Sequence, residues 1–217
     1  ENGILVIPSV SNMSMDFGKR FWISDDTDLN RLFPGNPSGE SGSRVAYAIM
    51  ETTKGYRYGI HLPSFYLGGT FMPHIRLLDP EHGSTSLANL FGLPYVIEAK
   101  SRPFDRTTLH NNWQRNGTEA FSLYTGMTGK IDDELAAQAV SSILRFLTRM
   151  GIIRYYSHSG YIASVLKEGD LEPIMTEAAG IFIKKAECGQ EVSRGDVLAQ
   201  IMKADSGEII SEVKAPT

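Results

Sequence analysis

The amino-acid sequence predicts an α/β protein: a mixed, largely parallel sheet flanked by helices, followed by a small all-β C-terminal domain. Strand-like and helix-like segments alternate over the first two thirds of the 217 residues, which is typical of parallel α/β sheets. Residues 132–150 carry the strongest helical periodicity of the chain. After Gly151 only short strand-like segments remain, separated by glycine and aspartate turns. We therefore expect an α/β domain over residues 1–153 and a β-rich domain over residues 154–217.

The first domain begins with a predicted strand. Residues 4–10 (ILVIPSV) are short, apolar and rich in β-branched side chains, which predicts a buried strand. The segments after it alternate between helical and strand patterns. They are a helix at 44–53, a strand at 56–62, a short helix that Ser84 caps and Gly92 stops, a strand at 95–99, a helix at 107–116 and a strand at 120–125.

The helix at 132–150 is the clearest element of the chain. Its apolar residues recur at positions i, i+3 and i+4, acidic residues occupy its first turn, Arg149 lies in its last turn, and Gly151 stops it. The β-rich domain then contains four short strand patterns. They cover residues 161–166, 180–184, 197–202 and 208–214.

Composition excludes several classes of protein. The formal net charge is −4 and no lysine or arginine run is present, so neither nucleic acid nor a membrane surface is an expected partner. No apolar stretch approaches the roughly 20 residues of a membrane span. Cys188 is the single cysteine, which excludes internal disulfides and multi-cysteine metal sites and favours a reducing, cytoplasmic compartment. Because the sequence lacks an initiator methionine and stops after a strand-like run, we expect truncation at both ends.

The polar loop after the first predicted strand carries candidate binding residues. Arg20 precedes the run Asp28-Leu29-Asn30-Arg31. An arginine binds a carboxylate through a planar fork, and an asparagine adds a donor and an acceptor. This loop can therefore hold an anionic substrate. The alternative is that Asp28 and Arg31 only fix a long loop by a salt bridge.

His61, at the end of a predicted strand, is placed for metal binding or acid–base chemistry. A single histidine is more often structural, and zinc requires three or four ligands. The segment 100–105, together with Asn111, Asn112 and Arg115, forms either a substrate wall or a salt-bridged surface loop.

These motifs together resemble the succinylglutamate desuccinylase/aspartoacylase family, zinc deacylases with a zinc carboxypeptidase-like fold. The resemblance covers nearly the whole chain, and DLNR-x-FPG after an upstream arginine is its sharpest element. The segments that carry it are VIPSVSN, Arg20, DLNRLFPG, GIHLPS, SLANLFGLPYVIEA, AFSLYTG and the C-terminal AAGIFIKKAECGQEVSRGDVLAQI.

The resemblance implies zinc as the cofactor and roles for four residues. The family's strand-end zinc ligand falls on His61. Its other two ligands, in a His-Gly-x-Glu motif, would precede Ile4 and lie outside this chain. The residues that grip the substrate carboxylate fall on Arg20, Asn30 and Arg31.

One position departs from the family pattern. The family's general base, a glutamate on the strand before the last helix, falls on Tyr124. A phenol with a pKa near 10 is a poor base at neutral pH, although it can donate a hydrogen bond to a developing oxyanion. Glu98 and Glu119 are the nearby acids, and we favour Glu98 because strand ends face the site in α/β sheets. The alternative for Glu98 is a solvated strand end paired with Lys100.

The predicted function is a zinc-dependent hydrolase that cleaves the amide bond of an N-acyl amino acid or a similar small carboxylated amide. Two alternatives stay open: a catalytically degenerate relative that binds a carboxylated ligand, and a carboxypeptidase-like enzyme. The sequence also leaves open whether the protein forms a homo-oligomer.

Overall fold

The computed structural model describes residues 3–63, 65, 68–81, 83–125, 131–156 and 159–216, which form two sheets and their flanking helices. The strands of the first sheet are β1 (Tyr58–His61), β2 (His74–Leu78), β3 (Tyr95–Ala99), β4 (Glu119–Tyr124) and β5 (Ser164–Lys167). The strands of the second sheet are β6 (Ile181–Lys184), β7 (Val197–Met202) and β8 (Ile209–Lys214). The helices are α1 (Asn12–Asp16), α2 (Ser41–Thr52), α3 (Ser84–Asn89), α4 (Leu109–Arg115) and α5 (Asp133–Arg149).

The first sheet is mixed and mostly parallel, as the sequence predicts. Its strand order is β1-β4-β2-β3-β5, and only the β2–β4 pair is antiparallel. The second sheet has the order β6-β7-β8 with both pairs antiparallel. The predicted fold class is therefore confirmed. Strand β5 pairs with β3 in the first sheet although it follows residue 154, and the exact domain boundary stays a prediction.

Helices cover both faces of the first sheet. On one face α3 and α5 pack on the sheet around Phe91, Phe121 and Phe146, which are fully buried. The rings of Phe91 and Phe146 stack with centroids 4.3 Å apart. On the other face α2 and α4 form a second core, in which Trp113 packs directly on Gly59 of β1. A Cβ atom at Gly59 would lie 2.5 Å from that indole, so glycine there permits the close approach of α4.

Replacing Phe146 by alanine should lower the free energy of unfolding by about 3–5 kcal/mol, because the change leaves a cavity between α5 and the sheet. Urea unfolding measures the loss. Val140→Ala is the matched control, since Val140 lies on the same helix but is 56 % exposed and should change stability by less than about 0.5 kcal/mol. Equal effects of the two substitutions would contradict the assigned core.

Three segments differ from the sequence prediction. Helix α1 lies in the predicted polar loop that follows the first predicted strand. Residues 4–10, predicted as a buried strand, have no strand partner among the described residues, and their large apolar side chains are exposed, from 39 % at Val10 to 73 % at Val6. An apolar run does not specify the strand that must pair with it, so the prediction was wrong. The sequence prediction also missed β2, because Arg76 interrupts its apolar pattern HIRLL. Among the described residues, no helix is long and apolar enough to cross a bilayer.

Candidate functional site

One face of the first sheet carries a row of polar side chains. His61 of β1 pairs with Ser122 of β4, and Ser122 pairs with Arg76 of β2. Directly paired residues of neighbouring strands point to the same side of a sheet, so these three side chains share one face. Tyr124 follows two positions after Ser122 and lies on that face as well. It is the face that α4 covers.

The loop before α2 brings Asn30 and Arg31 to this face. Asp28 accepts a hydrogen bond from the backbone N–H of Asn30 at 2.9 Å. The side-chain Oδ1 of Asn30 in turn accepts from the backbone N–H of Leu109 at 3.0 Å, which ties the loop to the start of α4. The Arg31 guanidinium lies over the Phe104 ring, 5.3 Å from its centroid. These contacts hold Asn30 and Arg31 beside the sheet.

A cavity of about 1090 Å³ lies between this loop and the sheet. His61, Asn30 and Tyr124 line it. Its charged lining consists of four arginines and three carboxylates: Arg20, Arg31, Arg76, Arg102, Asp28, Asp105 and Glu168. One positive charge is thus in excess, although the chain as a whole carries −4. A second cavity of about 370 Å³ has no charged side chain in its lining, so the larger one is the candidate site.

His61 is held as a neutral imidazole in this cavity. Desolvation lowers its pKa to about 4, against the opposing effect of the Asp28 charge. At neutral pH the ring therefore keeps a free lone pair, which is the form that binds a metal ion.

Known structures resemble this chain in fold more than in sequence. By sequence, no protein-family model and no curated protein matches it. A succinylglutamate desuccinylase/aspartoacylase from Rhodobacter sphaeroides superposes with a TM-score of 0.77 at 18% identity, covering 96% of this chain and 65% of that one. A succinylglutamate desuccinylase from Silicibacter sp. TM1040 gives 0.80 at 19% identity, covering 96% and 65%. The product-bound ectoine utilization protein EutE (DoeB) from Ruegeria pomeroyi gives 0.78 at 20% identity, covering 97% and 66%.

The chain has the succinylglutamate desuccinylase/aspartoacylase fold. The fold that the sequence resemblance implied is therefore confirmed. The chain spans about 65% of the length of the first two of these structures.

His61 is the one described residue that the sequence resemblance assigns as a zinc ligand. His61 fits that role as a neutral imidazole in a polar cavity. In the described part of the chain, however, no group of three or more histidine, cysteine, aspartate or glutamate residues is arranged to hold a metal ion. A catalytic zinc ion uses three protein ligands, so these residues do not complete a zinc centre.

Tyr124 lies in an aromatic cluster at the cavity. Its ring stacks on His74 with centroids 5.0 Å apart and contacts Phe65 at 4.6 Å. Burial raises the pKa of the phenol, against the lowering effect of the charges of Arg76 and Arg31. The hydroxyl group therefore stays protonated at neutral pH and is a hydrogen-bond donor, as the sequence interpretation requires.

Glu98 is not brought together with the other candidates. It pairs with Leu77 of β2, a residue of the core on the opposite face of the sheet from Arg76 and Ser122. Its Oε1 accepts a hydrogen bond from the Thr85 hydroxyl at 2.6 Å, and it is not among the residues that line the cavity. A catalytic role for Glu98 stays a prediction without support from its position.

Sequence reasoning missed several residues of the site. Glu168 accepts hydrogen bonds at Oε1 from Arg76 at 3.1 Å and Arg102 at 3.2 Å. His110 of α4 places Nδ1 2.8 Å from the hydroxyl of Ser122. In β4 the polar residues Ser122 and Tyr124 alternate with the core residues Phe121 and Leu123. This alternation is a sequence signal that could have identified Ser122. No comparable sequence signal indicates that Glu168, directly after β5, pairs with Arg76 and Arg102.

The buried His110 and the half-buried His61 predict a loss of stability in acid. Burial lowers the pKa of His110 to about 3 and of His61 to about 4, whereas an unfolded histidine titrates near 6.5. The unfolded chain therefore binds more protons below pH 6.5. Stability should be fully present above that pH and fall by up to about 1.4 kcal/mol per pH unit and histidine as the pH decreases.

Urea unfolding of the metal-free protein from pH 7 to pH 4 measures this slope. In His110→Gln the slope should be smaller than in the wild type, because one of the two titrations is removed. Parallel curves for the two proteins would contradict the assignment.

Proposed function

We propose that this protein is a hydrolase that removes the acyl group from an N-acyl amino acid or a similar small carboxylated amide. The observation that carries the proposal is the single cavity that joins Arg20, Asn30 and Arg31 of the loop to His61 at the end of β1. A carboxylate-binding group and a candidate metal ligand thus line one space. The names of two of the three similar structures, a desuccinylase/aspartoacylase and a desuccinylase, support the same class of reaction.

The substrate carboxylate binds the loop arginines in this proposal. Arg31 is oriented by the Phe104 ring, and Arg20 by the hydrogen bond that its Nη1 donates to the backbone oxygen of Phe65 at 2.9 Å. The Oδ1 atom of Asn30 is occupied by Leu109, which leaves its amide N–H groups for the substrate. Arg76 and Arg102 share Glu168, so Arg31 is more available to a substrate than either of them.

His61 and Tyr124 act at the amide end of the substrate. His61 provides one ligand of a zinc ion, which polarises an amide carbonyl and activates water when it is bound. The protonated Tyr124 donates a hydrogen bond to the carbonyl oxygen as negative charge develops there. These roles are proposals for the chain's own side chains.

A second candidate function is a binding protein for a carboxylated ligand without turnover. It is favoured because each carboxylate in the cavity already has a partner. Asp28 accepts from the backbone of Asn30, Asp105 from the backbone of Arg102 at 2.8 Å, and Glu168 from two arginines. A general base would have to be freed from one of these contacts.

Incubation with N-acyl amino acids and with short peptides should distinguish the candidates. We expect the protein, expressed with the upstream segment that would carry the other two zinc ligands, to release free amine from N-acetyl-L-aspartate or N-succinyl-L-glutamate but not from peptides, and to lose this activity after dialysis against EDTA. Calorimetric binding without amine release would instead support the binding protein. Cleavage of peptides at the C terminus would support a carboxypeptidase, and neither binding nor turnover would refute the proposal.

A further inference from the structure

The imidazole of His110 is a buried polar group that the proposed roles leave unused. His110 is 3 % exposed, and its Nδ1 atom contacts the Ser122 hydroxyl at 2.8 Å. Its Nε2 atom is buried and has no hydrogen-bond partner among the described residues. An unpaired polar atom in a protein interior costs about 1–3 kcal/mol. Such an atom in a cavity lining is a candidate for contact with a ligand.

Hydrogen bonds at the start of α4 fix the position of the His110 ring. His110 is the second residue of α4, whose first residue, Leu109, donates its backbone N–H to Asn30. The Thr108 side chain accepts from the backbone N–H of Asn111 and caps the same turn. The loop that carries Arg31 and the helix that carries His110 are therefore held together, and both line the cavity.

We propose that His110 is a substrate-contacting residue whose Nε2–H donates a hydrogen bond to an oxygen atom of the bound carboxylated amide, and that Ser122 positions it. The inference rests on the proposed function, because it assumes an anionic ligand in this cavity. Ser122 acts by donating its hydroxyl hydrogen to Nδ1. That bond leaves the ring's one hydrogen on Nε2.

The charges around the cavity favour this tautomer. A neutral imidazole has one N–H and one lone pair, and its hydrogen-bond partners decide which nitrogen carries the hydrogen. Arg76 and Arg31 select a ligand that presents oxygen acceptors. With the hydrogen on Nδ1, the Nε2 lone pair would face an oxygen lone pair and repel it. With the hydrogen on Nε2, the ring adds a neutral donor beside the arginines.

Two substitutions at His110 separate ligand contact from structural support. The Asn side chain of His110→Asn reaches the position of Nδ1 and retains the Ser122 contact but has no atom at the position of Nε2. The longer amide of His110→Gln can place a donor there. For N-acetyl-L-aspartate or N-succinyl-L-glutamate, calorimetry should show about tenfold weaker binding by His110→Asn and nearly wild-type binding by His110→Gln.

The tautomer of the His110 ring, measured in the wild type and in Ser122 variants, tests the positioning role of Ser122. Two-dimensional ¹⁵N NMR of the histidine rings should show the Nε2–H form of His110 in the wild type, with its Nε2 resonance shifting when N-acetyl-L-aspartate is added. Ser122→Ala should give a mixture of tautomers and weaker binding. Ser122→Thr retains the hydroxyl group and should restore both.

The outcomes distinguish this inference from the proposed function. If the wild type binds the acyl amino acids and folded His110→Asn binds them equally well, the inference is wrong while the proposed function stands. An Nδ1–H tautomer in the ligand-bound wild type would also overturn it, even if His110→Asn failed to fold. If the wild type binds none of these compounds, the proposed function fails and the inference fails with it.

Discussion

Replacing Arg31 by alanine should weaken the binding of an N-acyl amino acid by about 10- to 100-fold, because it removes charge-assisted hydrogen bonds to the substrate carboxylate. The side chain lies at the cavity wall, and its main packing contact is the face of the Phe104 ring. A stacking contact of this kind contributes about 0.5–1 kcal/mol. Folding should therefore be nearly intact, and the change should show in KM or Kd rather than in the urea midpoint.

Arg44→Ala is the matched control for this experiment. Arg44 lies on the exposed surface of α2 and does not line the cavity, so its removal lowers the charge of the protein equally without touching the site. Steady-state kinetics and calorimetry on the three proteins separate a local contact from a general electrostatic effect. If both variants lose affinity to the same degree, the substrate is attracted by net charge alone and Arg31 has no specific role.

Most of the fold could be predicted from the sequence, because the local sequence patterns agree with the tertiary contacts of the elements. The long helix α5 combines a continuous apolar stripe with an N-cap at Asp132 and Arg149 in its last turn, and the prediction placed it within one residue at each end. Strand β2 shows the opposite case. It lies in the middle of the sheet, yet Arg76 faces the cavity and its alternation is too short to recognise. The exposed segment 4–10 shows that apolar character alone does not specify a pairing partner.

Candidate site residues could be predicted only where neighbouring residues in the sequence form a motif. Asn30 and Arg31 come from one loop motif, and both line the cavity that His61 also lines. Glu98 illustrates the limit, since a strand end has two faces and the register with Leu77 turns this carboxylate away from Arg76. His110 depends on a helix packing across Gly59, a contact between elements that no local pattern encodes.

The sequence allows two interpretations of the segment 100–105, a wall of the substrate site or a surface loop. Arg102, Phe104 and Asp105 line the cavity, which supports the wall. Asn111, Asn112 and Arg115, which the sequence groups with this segment, are not among the lining residues. The arginine of this segment shares Glu168 with Arg76, so the wall is joined by an ion pair to the residue that directly follows β5. Arg102 and Glu168 are 66 residues apart in the sequence, which is beyond the range of a sequence motif.

Replacing His61 by alanine should abolish zinc binding. The neutral imidazole is the one ligand of the proposed centre in the described chain, and zinc sites tolerate the loss of one of three protein ligands poorly. Plasma mass spectrometry of the protein expressed with the upstream segment that would carry the other two ligands should find about one zinc ion per chain in the wild type and nearly none in His61→Ala. His74→Gln is the control, because His74 is another histidine of the first sheet but does not line the cavity. Its zinc content should equal that of the wild type. Zinc retained in His61→Ala would place the metal elsewhere, whereas no zinc in the wild type would remove the metal-dependent hydrolase and leave the binding protein as the better account of the same cavity.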